Sequence, residues 1–288
     1  MWITAAIFSA FFAGISSVLS KRGVKKIDSD VATAARTTVV FALAWAIALC
    51  TGAAKHLFTI GARSFVFLVL SGLATGASWL CYFKALSMGE ASKVAAVDKS
   101  SVVFSVLFAL LLFPEEREGL AGKLVCLAAI AVGTFAATDL RPGEKKRNCG
   151  WLFFALLSAL FAAATSVLAK IGVEKVDSNL ATAIRTSVVL LLSWLVVLGK
   201  GEGKGVKACR GREGIFLLLS GLATGASWIA YYYALRYGQV SVVVPIDKLS
   251  ILVTVVFSVL ALGERLSLKA WVGLALLTAG TVVMAVFP

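Results

Sequence analysis

A chain of 288 residues that is 60% hydrophobic and only 15% charged, with a mean hydropathy of +0.93, is too apolar for a soluble domain and reads as a polytopic membrane protein. The net charge of +13 does not point to nucleic acid, because most Lys and Arg fall in short loops between apolar runs, where loop bias and anionic lipid headgroups account for them. The five cysteines (Cys50, Cys81, Cys126, Cys149 and Cys209) form no Cys-x-x-Cys and the one histidine, His56, falls in a loop, so no disulfide framework, metal site or cofactor is expected.

Apolar runs fall at 3–20, 31–50, 64–87, 93–113 and 120–138, then at 151–169, 180–198, 214–236, 241–262 and 268–287. Each is close to the ~20 residues that a helix needs to cross the hydrocarbon of a bilayer. Backbone groups in lipid must be satisfied within each segment, so an all-α membrane protein of ten transmembrane helices is expected. The alternating segments of a membrane barrel are absent. The first run reads as a mature span and not as a leader, because its counterpart at 151–169 lies in mid-chain. Gly23 and Gly172 suit C-caps of the first and sixth helices, and Asp28 or Ser29, like Asp177 or Ser178, suits the next N-cap.

Residues 1–139 align without a gap on 150–288 at an offset of 149, joined by a basic linker at 140–149. Ser71-Gly72-Leu73-Ala74-Thr75-Gly76-Ala77-Ser78-Trp79 recurs letter for letter as Ser220 to Trp228. Five spans are an odd number, so two copies in one chain face opposite ways across the bilayer. Inverted five-helix repeats of this kind are typical of secondary transporters, with the substrate near the midplane between the halves.

Charged residues inside spans are expensive and usually line a cavity. They are Arg36, Lys84, Asp98, Lys99, Arg185, Asp247 and Lys248. All but Lys84 have an identical counterpart, Tyr233 standing opposite Lys84. Arg36, about five residues into its span, is ~8 Å from one edge, so Arg36 and Arg185 could touch substrate or anchor helix ends. Asp98 and Asp247 are candidates for proton coupling or for structural ion pairs, and Lys99 and Lys248, about 100° round the helix from them, for substrate binding. Lys84, near a span end, reads as a snorkelling lysine. Pro245, where the first half has Ala96, could kink the ninth span.

The Gly-x-x-x-Gly pairs Gly72/Gly76 and Gly221/Gly225 read mainly as packing surfaces. Trp79, Tyr82 and Phe83, with Trp228, Tyr231 and Tyr232, continue that face as an aromatic wall or an interfacial belt, and Trp79, Tyr82, Trp228 and Tyr231 join the candidate substrate-binding set. Ser16, Ser17, Thr165 and Ser166 are expected to bond their own helix backbone. No nucleotide-binding loop, His-Glu-x-x-His or serine-nucleophile elbow occurs, and no enzymatic chemistry is motivated.

Two five-span units with an end-of-unit pattern Leu262-Gly263-Glu264-Arg265-Leu266, Gly273-Leu274-Ala275-Leu276-Leu277 and Gly280 resemble the EamA group of the drug/metabolite transporter superfamily. The first half departs from that pattern, with Phe113-Pro114-Glu115-Glu116, Leu124 and Ala131. The resemblance implies a central cavity, alternating access, export or exchange of small metabolites such as amino acids, and termini in the cytoplasm. Loop charge favours the opposite orientation: seven Lys and Arg share the side of the termini, against sixteen on the other.

The in-span surplus of basic groups suits a small anionic or zwitterionic metabolite carried across the cell (inner) membrane by a monomer or weak homodimer. The alternatives are a multidrug exporter of hydrophobic cations and a non-transporting scaffold or lipid-binding protein. Beyond membrane lipids and a small-molecule substrate, no partner is indicated.

Overall fold

The computed structural model describes residues 1–23, 27–88, 97, 100–114, 119–137, 150–202, 205, 206, 209, 211–253, 256, 257 and 267–286. Its helices in chain order are α1 (Trp2–Gly23), α2 (Ser29–Cys50), α3 (Ala62–Met88), α4 (Ser101–Leu112), α5 (Leu120–Ala137), α6 (Gly150–Val173), α7 (Ser178–Gly199), α8 (Arg212–Tyr237), α9 (Val240–Lys248) and α10 (Leu268–Val286). A 3₁₀ helix, Ala53–Thr59, follows α2. No strand occurs among the described residues.

Six of these helices (α1, α2, α3, α6, α7 and α8) are long and apolar enough to cross a bilayer, and α4, α5 and α10 contribute shorter apolar segments. The protein is an integral membrane protein, and on α1 and α6 the side chains sort by size. Small residues face inward on α1 and α6, at Ala6, Ala10, Ala155, Ala159 and Ala163, while Phe8, Phe11, Phe153 and Leu156 are exposed. Lipid tails are as apolar as leucine, so large side chains gain nothing by turning inward. Small ones let helix backbones approach.

The repeats pack by exchange. Helix α1 lies on α8 and α3 lies on α6, each pairing the first helix of one repeat with the third of the other. Serine ladders run along both seams. In the first, Ser9 meets Ser227 at 3.2 Å and Ser16 meets Ser220 at 3.0 Å; in the second, Ser78 meets Ser158 at 3.2 Å and Ser71 donates to the Thr165 carbonyl at 2.9 Å. Numbers fall on one helix as they rise on its partner, so each pair is antiparallel. Helices α2 and α7, which are equivalents, are antiparallel too. Trp45 Nε1 donates to Ser187 Oγ at 3.0 Å, and its counterpart Trp194 donates to Thr38 Oγ1 at 3.1 Å. Equivalent helices that run in opposite directions are the direct expression of an inverted duplication.

The repeated glycines serve this exchange. A Cβ on Gly72 would lie 2.7 Å from Val188 Cβ of α7, and one on Gly221 would lie 2.7 Å from Val39 Cβ of α2. Asp28 caps α2 through the Asp30 N–H at 2.9 Å, and Asp177 caps α7 through the Asn179 N–H at 2.9 Å. Gly172 is not the expected C-cap. It lies inside α6 and makes room for Leu68, whose Cγ would be 2.8 Å from an added Cβ.

Within the runs expected at 93–113 and 241–262, the described residues show a one-residue turn at Ser100 and at Leu249. The Ser100 N–H reaches back three residues to the Val97 carbonyl at 3.0 Å, and the Leu249 N–H does the same to Ile246 at 3.0 Å. Ser100 and Leu249 are counterparts, and only the second half has a proline nearby. The break therefore belongs to the repeated unit and is not made by Pro245, which lies within α9.

Candidate functional site

The first turns of α2, the middles of α1 and α8, the later part of α3 and the break after α9 enclose a cavity of about 410 Å³. Its wall holds Arg36 and Thr33 from α2, Ser16 and Ser17 from α1, Trp79 and Tyr82 from α3, Thr224 and Trp228 from α8, and Asp247, Lys248 and Ser250 from the broken helix. The break matters for this placement. The helix stops at Lys248 and resumes at Ser250, so Asp247, Lys248 and Ser250 all reach one cavity although consecutive residues of a straight helix point apart.

Arg36 is half-buried. Its Nη2 donates to Ser16 Oγ at 3.2 Å and to Thr224 Oγ1 at 3.0 Å, while its Nε has no partner among the described residues. A guanidinium has five donors in a planar fork, so this one retains capacity to hold a carboxylate. Asp247 accepts from Ser9 Oγ at 2.6 Å. Lys248 makes no hydrogen bond or ion pair among the described residues. Two cations and one carboxylate thus face the same space, beside the rings of Trp79, Tyr82 and Trp228.

Arg185 sits differently from its counterpart. It is 6% exposed, donates from Nη2 to Thr75 Oγ1 at 2.8 Å, and lies 4.4 Å from the Trp228 ring centre and 5.4 Å from that of Tyr232. Cation–π contacts of this kind contribute about 0.5–2 kcal/mol each. Arg185 is behind the cavity wall, not on it. Tyr231 also faces away, donating to Ser166 at 3.0 Å and packing against the apolar core.

Six of the ten residues singled out from sequence therefore share one cavity: Arg36, Trp79, Tyr82, Trp228, Asp247 and Lys248. Arg185 and Tyr231 do not line it, and Asp98 and Lys99 lie outside the described residues. Lys84 is exposed near the end of α3. Of the serines and threonines, Ser17 and Thr165 do bond their own helices, to the Ala13 and Phe161 carbonyls at 3.0 Å each. Ser16 instead crosses to α8. Sequence reasoning missed Thr75, Thr224 and Ser9 as partners of the buried charges. The signal for both threonines was present, since they sit inside the nine-residue motif repeated without change.

Residues 1–137 and 150–286 each match the sequence model of the EamA-like transporter family. A protein from Sinorhizobium sp, described as an uncharacterized transporter in the cobO 3′ region, is 50% identical over 137 residues, which is 48% of this chain and 97% of that protein. An uncharacterized protein of Methanocaldococcus jannaschii is 27% identical over 135 residues, 47% of this chain and 96% of its own length. A solved structure, described only as the crystal structure of a protein, superimposes with a TM-score of 0.74 at 16% identity over 99% of this chain and 96% of that one, a likeness of fold.

Proposed function

We propose that this chain, which belongs to the EamA-like transporter family, is a secondary transporter that carries a small anionic or zwitterionic metabolite, such as an amino acid, by alternating access. The observation that carries the reading is the company around the 410 Å³ cavity: Arg36 and Lys248 against the single carboxylate of Asp247. A solute carboxylate is met by Arg36 and Lys248, an ammonium group by Asp247, and apolar parts by Trp79, Tyr82 and Trp228. Asp247 doubles as the group through which a proton is coupled, and Asp98 is its counterpart. The spans at 93–113 and 241–262 complete ten crossings as interrupted helices, an arrangement that places charged groups at depth while the cavity satisfies freed backbone. The reading places the protein in the cell (inner) membrane and assigns it export or exchange.

The test is counterflow in proteoliposomes preloaded with mixed amino acids and small organic acids. Accumulation of a labelled member, reduced by Arg36→Ala, supports the reading. No exchange of any member, with no solute-dependent thermal shift in detergent, overturns it. Export of hydrophobic cations is the second reading. The three aromatic rings favour it, and two cations in the wall oppose it, so a resistance assay with cationic dyes separates the two.

A further inference from the structure

A second cavity of about 400 Å³ lies at the opposite end of α7 and α8, on the face that bears His56. Lys175, Asp177, Leu180 and Arg236 line it, with Thr51 and Thr59 of the segment after α2. Its basic groups outnumber its one carboxylate, and Arg236 rests 3.7 Å from that carboxylate, Asp177. It thus carries the same positive surplus as the central cavity.

Helix α8 connects the two spaces. Trp228 lines the central cavity, Tyr232 is fully buried, and Arg236 lines the second cavity. Residues four apart lie above one another on a helix, so these three are successive rungs of one face, and the eight residues span only ~12 Å. Helix α7 supplies the same layer from its own side. Leu180 lines the second cavity, and Arg185, five residues further, lies over the rings of Trp228 and Tyr232. Along α8, the buried Tyr232 with Arg185 over its ring stands between the residue that lines one cavity and the residue that lines the other.

We propose that the two cavities are the two ends of one solute path, and that Arg185, Trp228 and Tyr232 form its closed gate toward the His56 face. The proposal rests on the transport reading of the central cavity. The repeats supply the other half of the device. Trp79 and its counterpart Trp228 both line the central cavity, but of the matched arginines only Arg36 does, on the side of the face that bears Lys200. One arginine–aromatic layer is shut while its copy is open. In the alternate state the roles exchange: Arg36 closes over Trp79, and Arg185 turns to the solute. The second cavity is then the vestibule through which an anionic or zwitterionic solute enters or leaves on the His56 face.

Single cysteines in a background with Cys50, Cys81, Cys126, Cys149 and Cys209 replaced test this without any solute. Thr33→Cys reports on the central cavity and Thr59→Cys on the second. A membrane-impermeant anionic methanethiosulfonate is applied to either side of sealed vesicles. Thr33→Cys and Thr59→Cys are expected to react from opposite sides. Adding Tyr232→Ala, or Arg185→Ala where that variant does not fold, opens the layer and raises the labelling of Thr33→Cys from the His56 face at least tenfold, while Tyr232→Phe preserves sidedness. Labelling of both cysteines from the same side, or sidedness unchanged in the folded gate variants, overturns the proposal. Because the readout needs no substrate, a failed gate and a failed transport assay are told apart.

Discussion

Arg36 of the first repeat donates a hydrogen bond to Thr224 of the second at 3.0 Å, and the bond is returned in exchange by Arg185 to Thr75 at 2.8 Å. Each arginine is thus positioned by the nine-residue motif of the other half. The motif's glycines bring α3 onto α7 and α8 onto α2, and its threonine then holds the arginine that arrives. Packing and site are built by the same residues.

Arg36 should be worth more to transport than to stability. Hydrogen bonds to a charged group contribute about 1.5–3 kcal/mol, which corresponds to roughly ten- to a hundredfold in rate. Arg36→Ala is expected to lower proteoliposome uptake by that factor, and Arg36→Lys to recover only part of it, since an ammonium cannot reproduce the guanidinium fork. Uptake by Arg36→Ala at the wild-type rate would remove it from the substrate site.

Asp247→Asn keeps an oxygen for Ser9 Oγ and removes the charge. The variant is expected to fold with an unchanged melting profile and to exchange solute, but to lose accumulation driven by an imposed pH gradient. Gradient-driven accumulation at the wild-type level would reassign Asp247 to a structural pairing.

Gly221→Ala puts a Cβ 2.7 Å from Val39 Cβ and 3.1 Å from the Arg36 carbonyl, neither of which can swing away. Overpacking of this kind costs about 1–3 kcal/mol. A Cβ on Gly199 meets nothing within 4 Å. Thermal melting in detergent should therefore fall for Gly221→Ala and its counterpart Gly72→Ala, and stay within error for Gly199→Ala.

Outside the spans, burial and the nearby charge of Asp28 raise the pKa of Glu202. A carboxylate held above its unfolded value, about 4.3, opposes folding once ionised. The opposition is absent below the unfolded value and complete above the raised folded one. Glu202→Gln is expected to raise the melting temperature at neutral pH, with the gain disappearing as pH falls through the carboxylate range. A gain that persists in acid would assign the effect to something other than charge. Lys200, hydrogen-bonded to Asp30 beside it, moves the other way in consequence: its raised pKa supports folding at neutral pH and that support is lost only in alkali.

The sequence makes the duplication plain, and the expectation of inversion rests on the odd number of apolar runs in each copy. The buried charges were legible because charge inside an apolar run is costly, and six of the ten named positions meet in one cavity. What could not be read is which member of a matched pair faces that cavity. Arg36 and Arg185 have nearly identical local sequence, and they differ in what the assembled fold puts beside them: Arg185 lies over the rings of Trp228 and Tyr232, while Arg36 lines the cavity. The break at Ser100 and Leu249 was hidden for another reason. Proline marks only one copy, and the three-residue hydrogen bonds that make the turn are available to any sequence.

The serine ladders between α1 and α8 and between α3 and α6 also bear on how the chain is made. During synthesis α1 and α3 emerge long before their partners. Until α6 and α8 arrive, Ser9, Ser16, Ser71 and Ser78 have only their own helix or lipid to face. The duplicated segment alone therefore leaves its polar seams unpaired. Each half is an incomplete surface until translation delivers the other, and premature termination near residue 149 would yield a membrane-inserted chain with two polar seams that only a second copy could close.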